Sequence, residues 1–362
     1  MENRDDLKEY PKDRRLSEDR RRSGSKKGED RRRSEDRRLF PEGHVGPDMP
    51  RRRTSDTKLD SSGPRRRFPV ADGIFYPDNR DTLVNQIASW GLIEGRSASS
   101  LAGQVIIAPH GAWGISGKIA GAAFAAVQSG GQSTSENVSA SDRISRVILL
   151  GPCHCPGEQG IYLSESIAFE TPLGELTVDR RLNQKLASCS TLFRENDILH
   201  LSEHSLEILL PMIKYCFPDV KIVPILVQGS RPVLISGLAR ALRAILEAYM
   251  EKSLLIVSSN VSLSHDPAIA FSMADEFRSI LSSMDTGAFL AGLSEGRISA
   301  CGGPIIAALL ESGLLAGKRF SALTPLLHGT EECGQTVYYG AFAARAATAA
   351  PNKDACSTGA MA

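Results

Sequence analysis

Three histidines stand just beyond short apolar runs of this 362-residue chain, where their imidazoles could bind a metal or move protons. Neutral imidazole is a common ligand of transition metals, and it also serves as a general acid or base near neutral pH. Open α/β sheets bind ligands beyond the carboxyl ends of their strands, so this placement predicts one shared site. The histidines and the runs before them are His110 after 105–108, His154 after 146–150 and His265 beyond 253–257.

Two cysteine patterns could add sulfur ligands to such a site. Cys153 and Cys155 flank His154, and their thiolates could take zinc or copper. Their C-x-C spacing differs from the C-x-x-C spacing of structural zinc sites, so no zinc finger is expected. Cys301 stands at the start of a predicted helix, where a thiol has a depressed pKa and is a better ligand or nucleophile. A buried, unreactive cysteine at a tight turn is the alternative interpretation of Cys301.

A cluster of two carboxylates and an imidazole is the third candidate. On a helix predicted over 203–216, with Ser202 as its N-cap, Glu203 and Glu207 lie one turn apart on one face, with His204 beside them. The cluster could orient ligands or accept protons. A solvated face at the start of a helix explains the same pattern, and the spacing alone leaves both interpretations open.

The elements that would position these residues alternate between strands and helices. Continuous apolar runs are typical of strands buried on both faces, and amphipathic or Ala-rich stretches lie between them. This pattern predicts a single three-layer α/β domain over 68–345, with a mostly parallel central sheet and helices on both faces. The predicted strands are 105–108, 146–150, 221–227 and 253–257, with edge strands at 320–327 and 335–342. The predicted helices are 117–128, 203–216, 232–250, 268–284 and 302–315.

The first 67 residues differ from the rest of the chain in composition and charge. They contain 22 Lys and Arg against 15 Asp and Glu, whereas the remaining residues contain 21 against 27. Such a segment buries too little apolar surface to offset its ordering entropy, so 1–67 is predicted to be disordered, and 346–362 to be a loose tail. The Arg-rich segment could contact an anionic partner such as RNA, DNA or lipid, or it could be a solvated mixed-charge tail.

Composition excludes several classes of protein. No run of about 18 apolar residues is present, so no membrane span is expected. The charged N-terminus lacks the apolar stretch of a signal peptide, and seven cysteines in a long chain indicate free thiols in a reducing compartment. The sequence therefore predicts a cytoplasmic protein. Walker A, H-E-x-x-H and G-x-G-x-x-G patterns are missing, which argues against a P-loop NTPase, a zincin and a Rossmann dehydrogenase.

Eight or so short motifs occur in an order that resembles one family. The longest is EHSLE at 203–207, which matches the E-H-S-x-E of the MEMO family, the B component of the AmmeMemoRadiSam system. The resemblance covers roughly 68–345 and implies partners from that radical-SAM system. The other motifs are ADGIFYP at 71–77, PHGAW at 109–113, GPCH at 151–154, TPLG at 171–174, VPILV at 223–227, CG at 301–302 and VYY at 337–339.

The resemblance implies a fold similar to the class III extradiol dioxygenases of the LigB type, which hold Fe(II) with two His and a carboxylate. In the MEMO family a Cys takes the place of the carboxylate, so the implied metal ligands are His110, His154 and Cys301. His265 would fall where the dioxygenases have their general base. The other implied pocket residues are Glu203, His204, Glu207, Trp113 and Asn260. Of these, His204 and Glu207 join His265 as catalytic candidates.

The sequence departs from the family pattern in three places. Asn260 replaces a carboxylate, and two extra residues separate it from His265. Where the family has P-H-A-G-Y, this sequence has P-H-G-A-W, which ends in Trp113. Cys155 stands where the family has a second His after His154. Loss of a negative charge weakens the attraction for a cation. These changes predict a divergent member whose metal site is tuned toward softer ligands or is degraded.

The leading hypothesis is a metal-binding, oxidoreductase-like protein that holds Fe(II) or copper through His110, His154 and Cys301 and acts on a small molecule or O₂. The rival hypothesis is a non-enzymatic binding module that recognises a peptide or a small polar ligand in the same pocket, since a fold does not establish a reaction. In that case the Arg-rich tail would add avidity for an anionic partner. Hydrolysis with Cys301 as the nucleophile is a third hypothesis.

Overall fold

The computed structural model describes residues 65–95, 105–129, 144–330 and 334–346. The predicted tails, 1–67 and 346–362, lie outside the described residues except for 65–67 and 346. Residues 65–67 were assigned to the tail by their charge, but Arg66–Arg67 forms a strand that pairs with Ala168–Phe169. Among the described helices, none has both the length and the apolar character that a membrane span requires.

An eight-stranded sheet forms the centre of the fold, and two three-stranded sheets, β1-β5-β6 and β10-β13-β12, accompany it. Its strand order is β11-β14-β2-β9-β3-β8-β4-β7, and the inner strands β2, β9, β3 and β8 are mutually parallel. The strands are β1 Arg66–Arg67, β2 Val105–Ala108, β3 Arg146–Pro152, β4 Gly160–Leu163, β5 Ala168–Phe169, β6 Leu176–Thr177, β7 Phe193–Glu195, β8 Lys221–Gln228, β9 Ser253–Ser258, β10 Ser262–Ser264, β11 Lys318–Ala322, β12 Leu327–Thr330, β13 Thr336–Tyr339 and β14 Phe342–Ala346.

Helices cover both faces of this sheet, because alternate residues of each inner strand point into two separate apolar cores. In β2, Ile106 and Ala108 join the core beneath the helices at 80–89, 118–129 and 210–216. Val105 and Ile107 join the core beneath the helices at 180–189, 232–241, 267–283, 286–294 and 303–312. The prediction of a three-layer α/β domain with a mostly parallel sheet is confirmed. The helices are α1 Arg80–Ser89, α2 Lys118–Ser129, α3 Arg180–Cys189, α4 Asp197–Ser202, α5 Leu210–Cys216, α6 Pro232–Ala241, α7 Pro267–Ser283, α8 Thr286–Ser294 and α9 Gly303–Ser312.

The helix predicted over 203–216 with Ser202 as its N-cap is wrong. Ser202 is the last residue of α4, and its hydroxyl donates to the carbonyl of Ile198. Glu203 has extended backbone angles (φ −101°, ψ 131°), a short 3₁₀ turn covers Glu207–Leu209, and α5 begins only at Leu210. Glu203 and Glu207 therefore do not share one helix face.

The break between α4 and α5 is held by a buried arginine of the first strand. The guanidinium of Arg67 is 1% exposed and donates to the carbonyls of His200 at 2.8 Å and Glu203 at 3.0 Å. It also forms an ion pair with Glu207 at 2.6 Å and lies over the ring of Phe169. Arg67 thus satisfies the two carbonyls that the end of α4 leaves without helical partners.

The carboxylate of Glu207 fixes the chain that follows Arg67. Its oxygens accept from the backbone N–H groups of Val70 and Ala71 and from the hydroxyl of Tyr76 at 2.8 Å. Burial, and after it the charge of Glu207, raises the pKa of the Tyr76 hydroxyl, so the phenol stays protonated as a donor. These bonds dock the segment after β1 against the turn that carries the site residues.

Replacing Arg67 with Met tests the role of this buried ion pair. Arg67→Met leaves the carboxylate of Glu207 buried without its cation, so we expect unfolding free energy to fall by about 3–5 kcal/mol. The matched control is Arg66→Met, because Arg66 pairs with Glu175 at the surface and should contribute only about 0–1 kcal/mol. Urea-induced unfolding measures both changes. Equal, small losses for the two variants would show that the buried pair does not hold this segment.

Candidate metal centre

Three side chains that the sequence places far apart meet at the carboxyl end of the sheet. His110 follows β2, His154 follows β3, and Cys301 lies just before α9. One ligand atom from each lies within 4.8 Å of the others, and the sulfur of Cys301 is 3.3 Å from Nε2 of His110. The structure thus brings together the three residues that the sequence analysis named as metal ligands.

The ring of His110 is fixed by a chain of hydrogen bonds from the strand ends. Its Nδ1 lies 2.7 Å from the hydroxyl of Ser258, and that hydroxyl donates its own hydrogen to the carbonyl of Ser205 at 2.7 Å. The Ser258 oxygen is therefore an acceptor toward the ring, so Nδ1 carries a proton and Nε2 is the nitrogen left for a metal ion. The backbone N–H of His110 donates to Oδ1 of Asn260, which ties the end of β2 to the end of β9.

His154 is oriented in the same way by a buried carboxylate. Its Nδ1 donates to Oε1 of Glu203 at 2.9 Å, and its backbone N–H donates to Oε2. The N–H of Ser205 also donates to Oε1, so a carboxylate that is only 2% exposed is well satisfied. Burial opposes ionisation of Glu203, but the hydrogen bonds and charge of His154 outweigh it and lower the pKa of Glu203 to about 2. Because Nδ1 is engaged, Nε2 is the nitrogen of His154 that can coordinate an ion once the ring has lost a proton.

Cys301 is held as a thiolate without any metal. The backbone N–H of Asn260 donates to its sulfur at 3.0 Å. Burial disfavours the thiolate, but the charges and hydrogen bonds of His110 and His154 lower the pKa of Cys301 to about 5. Burial likewise disfavours the imidazolium form of His154, but its contacts with Cys301 and Glu203 raise its pKa to about 10. The metal-free site is therefore a thiolate–imidazolium pair at neutral pH.

A glycine lets Cys301 approach the strand end closely. A Cβ added to Gly302 would lie 2.6 Å from the Cβ of Ser259, and its N–H donates to the Ser259 hydroxyl at 2.9 Å. A larger residue at 302 would push the start of α9 away from β9, and the sulfur with it. This clash gives a steric reason for a glycine directly after Cys301.

His204 is the third imidazole at the site. Its ring stacks between Phe75 and His154, with centroid distances of 4.9 and 5.2 Å, and its centroid is 5.8 Å from that of His110. Burial, reinforced by the charge of His110, lowers the pKa of His204 to about 4, so this imidazole is neutral at pH 7. A neutral ring beside the ligand cluster can accept a proton.

The structure does not bring His265 to this cluster. Three of the four residues between Asn260 and His265 form β10, which pairs with β13. His265 follows β10 on the surface, where its Nε2 lies 3.3 Å from Nε2 of Gln335. Among the described residues, no group of candidate metal ligands includes it.

The remaining predicted pocket residues have supporting positions. Trp113 is buried and donates from its indole to the carbonyl of Ile208, with its ring against Trp90, so it lies in the core. The side-chain Oδ1 of Asn260 accepts from the backbone N–H of His110, and the backbone N–H of Asn260 donates to the sulfur of Cys301. Glu207 faces the N-terminal segment. Sequence reasoning gave no role to Ser258, which fixes the His110 ring, because a single serine after a strand carries no chemical signature of its own.

A cavity of about 340 Å³ opens beside the ligand cluster. Thiol and imidazole side chains form one part of its wall, and apolar residues from β8, α8 and α9 form another. A small organic molecule would fit such a space in contact with the ligand cluster. Six of the lining residues are Cys153, His154, Val227, Leu293, Cys301 and Ile305.

Similarity to known proteins agrees with the motifs. A family model described as Memo-like protein matches residues 66–337. A MEMO1 family protein of Thermotoga neapolitana is 27% identical over 275 residues, which cover 73% of this chain and 92% of that protein. MEMO1 family proteins of Pyrobaculum aerophilum and Aeropyrum pernix are each 30% identical, over 69% and 70% of this chain and 89% of each relative.

The reactivity of Cys301 in metal-free protein tests the electrostatics of the site. Because the thiolate is the nucleophile, we expect alkylation of Cys301 by iodoacetamide to stay fast down to about pH 5, the pKa of its thiol. Cys189 is the control. Burial raises the pKa of its thiol, so its alkylation should already be slow when the pH has fallen to neutral. Mass spectrometry of the labelled peptides gives both rates. Parallel pH profiles would contradict the thiolate–imidazolium pair.

Proposed function

This chain belongs to the family described as Memo-like protein, and we propose that it is a metal-binding, oxidoreductase-like protein whose ligands are His110, His154 and Cys301. The observation that carries the proposal is how the two imidazoles are held. Each has its Nδ1 engaged, by Ser258 and by Glu203, so that both Nε2 atoms are left for one ion. Metal-binding histidines commonly have such a partner on the second nitrogen.

The donor set fits Fe(II) or copper. Two imidazoles and a thiolate combine borderline and soft ligands, which suit iron and copper better than magnesium or calcium. Three protein ligands leave a coordination position open, and a bound ion would supply redox chemistry and a place for a small molecule or O₂ there. The sulfur of Cys301 is already deprotonated at neutral pH, so the proton released when an ion binds comes from the ring of His154.

His204 is the residue that we assign to proton transfer. It is neutral, it stacks on His154, and its Nδ1 is 3.3 Å from Oε1 of Glu203, so a proton gained at the ring would be stabilised by that carboxylate. Glu207 acts at a distance, as a positioning residue that docks the segment before Tyr76. His265 has no role in this proposal, since it lies on the surface after β10.

The substrate class that we propose is a small organic molecule with an apolar part. Val227, Leu293 and Ile305 line one wall of the cavity, while His154 and Cys301 line another. An apolar body would lie against the first wall, and its reactive polar end would face the ligand cluster.

Metal stoichiometry is the experiment that tests the proposal. Anaerobic protein is reconstituted with Fe(II), and separately with copper, and the metal content is measured by elemental analysis. His110→Ala and Cys301→Ser should each bind about one equivalent less than wild type, because each removes one of three ligands. Cys189→Ser removes a thiol that belongs to none of the candidate ligand groups among the described residues, and this variant should bind as much metal as wild type.

Unchanged metal content in both ligand variants would overturn the ligand assignment. Oxygen consumption by the loaded protein with small candidate substrates then separates an enzyme from a binder. Stoichiometric metal without turnover, together with binding of a peptide or a small polar ligand in the cavity, would favour the non-enzymatic binding module instead.

The carboxylate behind His154 gives a second, graded test. Glu203→Gln keeps the shape of the side chain but removes the charge that polarises the His154 ring, so we expect metal affinity to fall by about 10–100-fold. The control is Glu175→Gln, which removes an exposed carboxylate that is paired only with Arg66. Competition with a chelator of known affinity measures both variants. A Glu203→Gln protein with wild-type affinity would contradict the role of this charge in preparing His154 as a ligand.

A further inference from the structure

We propose that Cys153, Cys155 and Glu203 form a second metal site, for a thiophilic d¹⁰ cation such as Zn(II) or Cu(I). This site shares only the carboxylate of Glu203 with the network of the first centre, and it shares none of the three ligands assigned there. It does not depend on the redox function proposed above.

The spacing of the donor atoms carries this inference. The two sulfurs and a carboxylate oxygen of Glu203 lie within 4.8 Å of one another. Two metal–sulfur bonds of about 2.3 Å span at most about 4.6 Å, so one ion can join these atoms with little rearrangement.

The backbone around the two cysteines is fixed, which holds the thiols in place for an ion. The N–H of Cys153 donates to the carbonyl of Val227 at 2.9 Å, and the carbonyl of Cys155 accepts from Nε2 of Gln228 at 2.6 Å. Between them, the N–H of His154 donates to the carboxylate of Glu203. A pre-positioned donor set loses little entropy when it binds a metal.

The chemistry of the donors selects the class of ion. Thiolates are soft ligands that prefer Zn(II) and Cu(I) over Mg(II) and Ca(II). Two sulfurs alone can hold a two-coordinate ion, and the carboxylate adds a negative charge and a third donor beside them. Both thiols are partly exposed, and Cys153 lines the 340 Å³ cavity, so an ion has a path to reach them.

The donors also explain why this chain has cysteines on both sides of His154. Both cysteines are partly exposed and also pack against the apolar core, and packing alone does not require their sulfurs to converge on a buried carboxylate. The same peptide therefore serves two sites, with the imidazole of His154 in one and the flanking thiols in the other.

Stoichiometry in matched variants tests the proposal. Anaerobic protein is titrated with Zn(II), and in a second arm with Cu(I), against a chromophoric chelator of known affinity. The double variant Cys153→Ser/Cys155→Ser should bind about one equivalent less than wild type in at least one arm, and the arm identifies the ion. Cys189→Ser should match wild type. A double variant with wild-type stoichiometry in both arms would overturn the second site.

The Cys301→Ser variant keeps this test separate from that of the first centre. If the second site exists, Cys301→Ser protein still binds an equivalent that the triple variant Cys153→Ser/Cys155→Ser/Cys301→Ser loses. This result can hold even if the first centre binds nothing. Equal stoichiometry in the Cys301→Ser and triple variants would overturn the proposal.

Thiol protection provides a measurement that does not require the double variant to fold. In Cys301→Ser protein, Zn(II) or Cu(I) should slow the reaction of Cys153 and Cys155 with N-ethylmaleimide, and leave the reaction of Cys189 unchanged. Mass spectrometry of the labelled peptides locates the protected thiols. Unchanged labelling of Cys153 and Cys155 with either ion would overturn the proposal.

Discussion

The buried carboxylate of Glu203 is the constraint on which the site depends. A carboxylate that is 2% exposed must have hydrogen-bond donors, and here the donors are the ring and backbone of His154 and the backbone of Ser205. These bonds need extended backbone at Glu203, which is incompatible with a helix through 203–216. The chain therefore breaks between α4 and α5, and that break places His204 beside His154. The break leaves carbonyls at the end of α4 without helical hydrogen-bond partners, and the guanidinium of Arg67 donates to two of them.

Two carboxylates in one short segment thus have opposite tasks. Glu203 points toward the imidazoles and orients a candidate ligand. Glu207 points away from them, pairs with Arg67 and fixes the segment that leads to Tyr76. Because Arg67 contacts both the carbonyl of Glu203 and the carboxylate of Glu207, the first strand and the site are parts of one bonded network. Replacement of Arg67 should therefore also disturb the positions of the candidate metal ligands.

The sequence predicts the parts of this molecule that follow from local pattern. The four inner strands are continuous apolar runs, and three of them end next to His110, His154 and Asn260. Arg67 was assigned to the disordered N-terminal tail because the sequence does not distinguish a buried arginine from a solvated one. Only the partners of the guanidinium in the folded structure distinguish them. The placement of His265 at the pocket rested on motif order. The structure instead gives the intervening residues to β10, a strand whose pairing with β13 is non-local and leaves little trace in composition.

The two histidine ligands differ in their exposure to solvent. His110 is 2% exposed, whereas 40% of the His154 side chain is accessible. The ligand cluster is therefore closed to solvent at His110 and accessible at His154. Because the His154 ring is anchored to the buried carboxylate of Glu203, a molecule that arrives from solvent meets a ligand that is already oriented, so the accessible side of the cluster is also a side of fixed geometry.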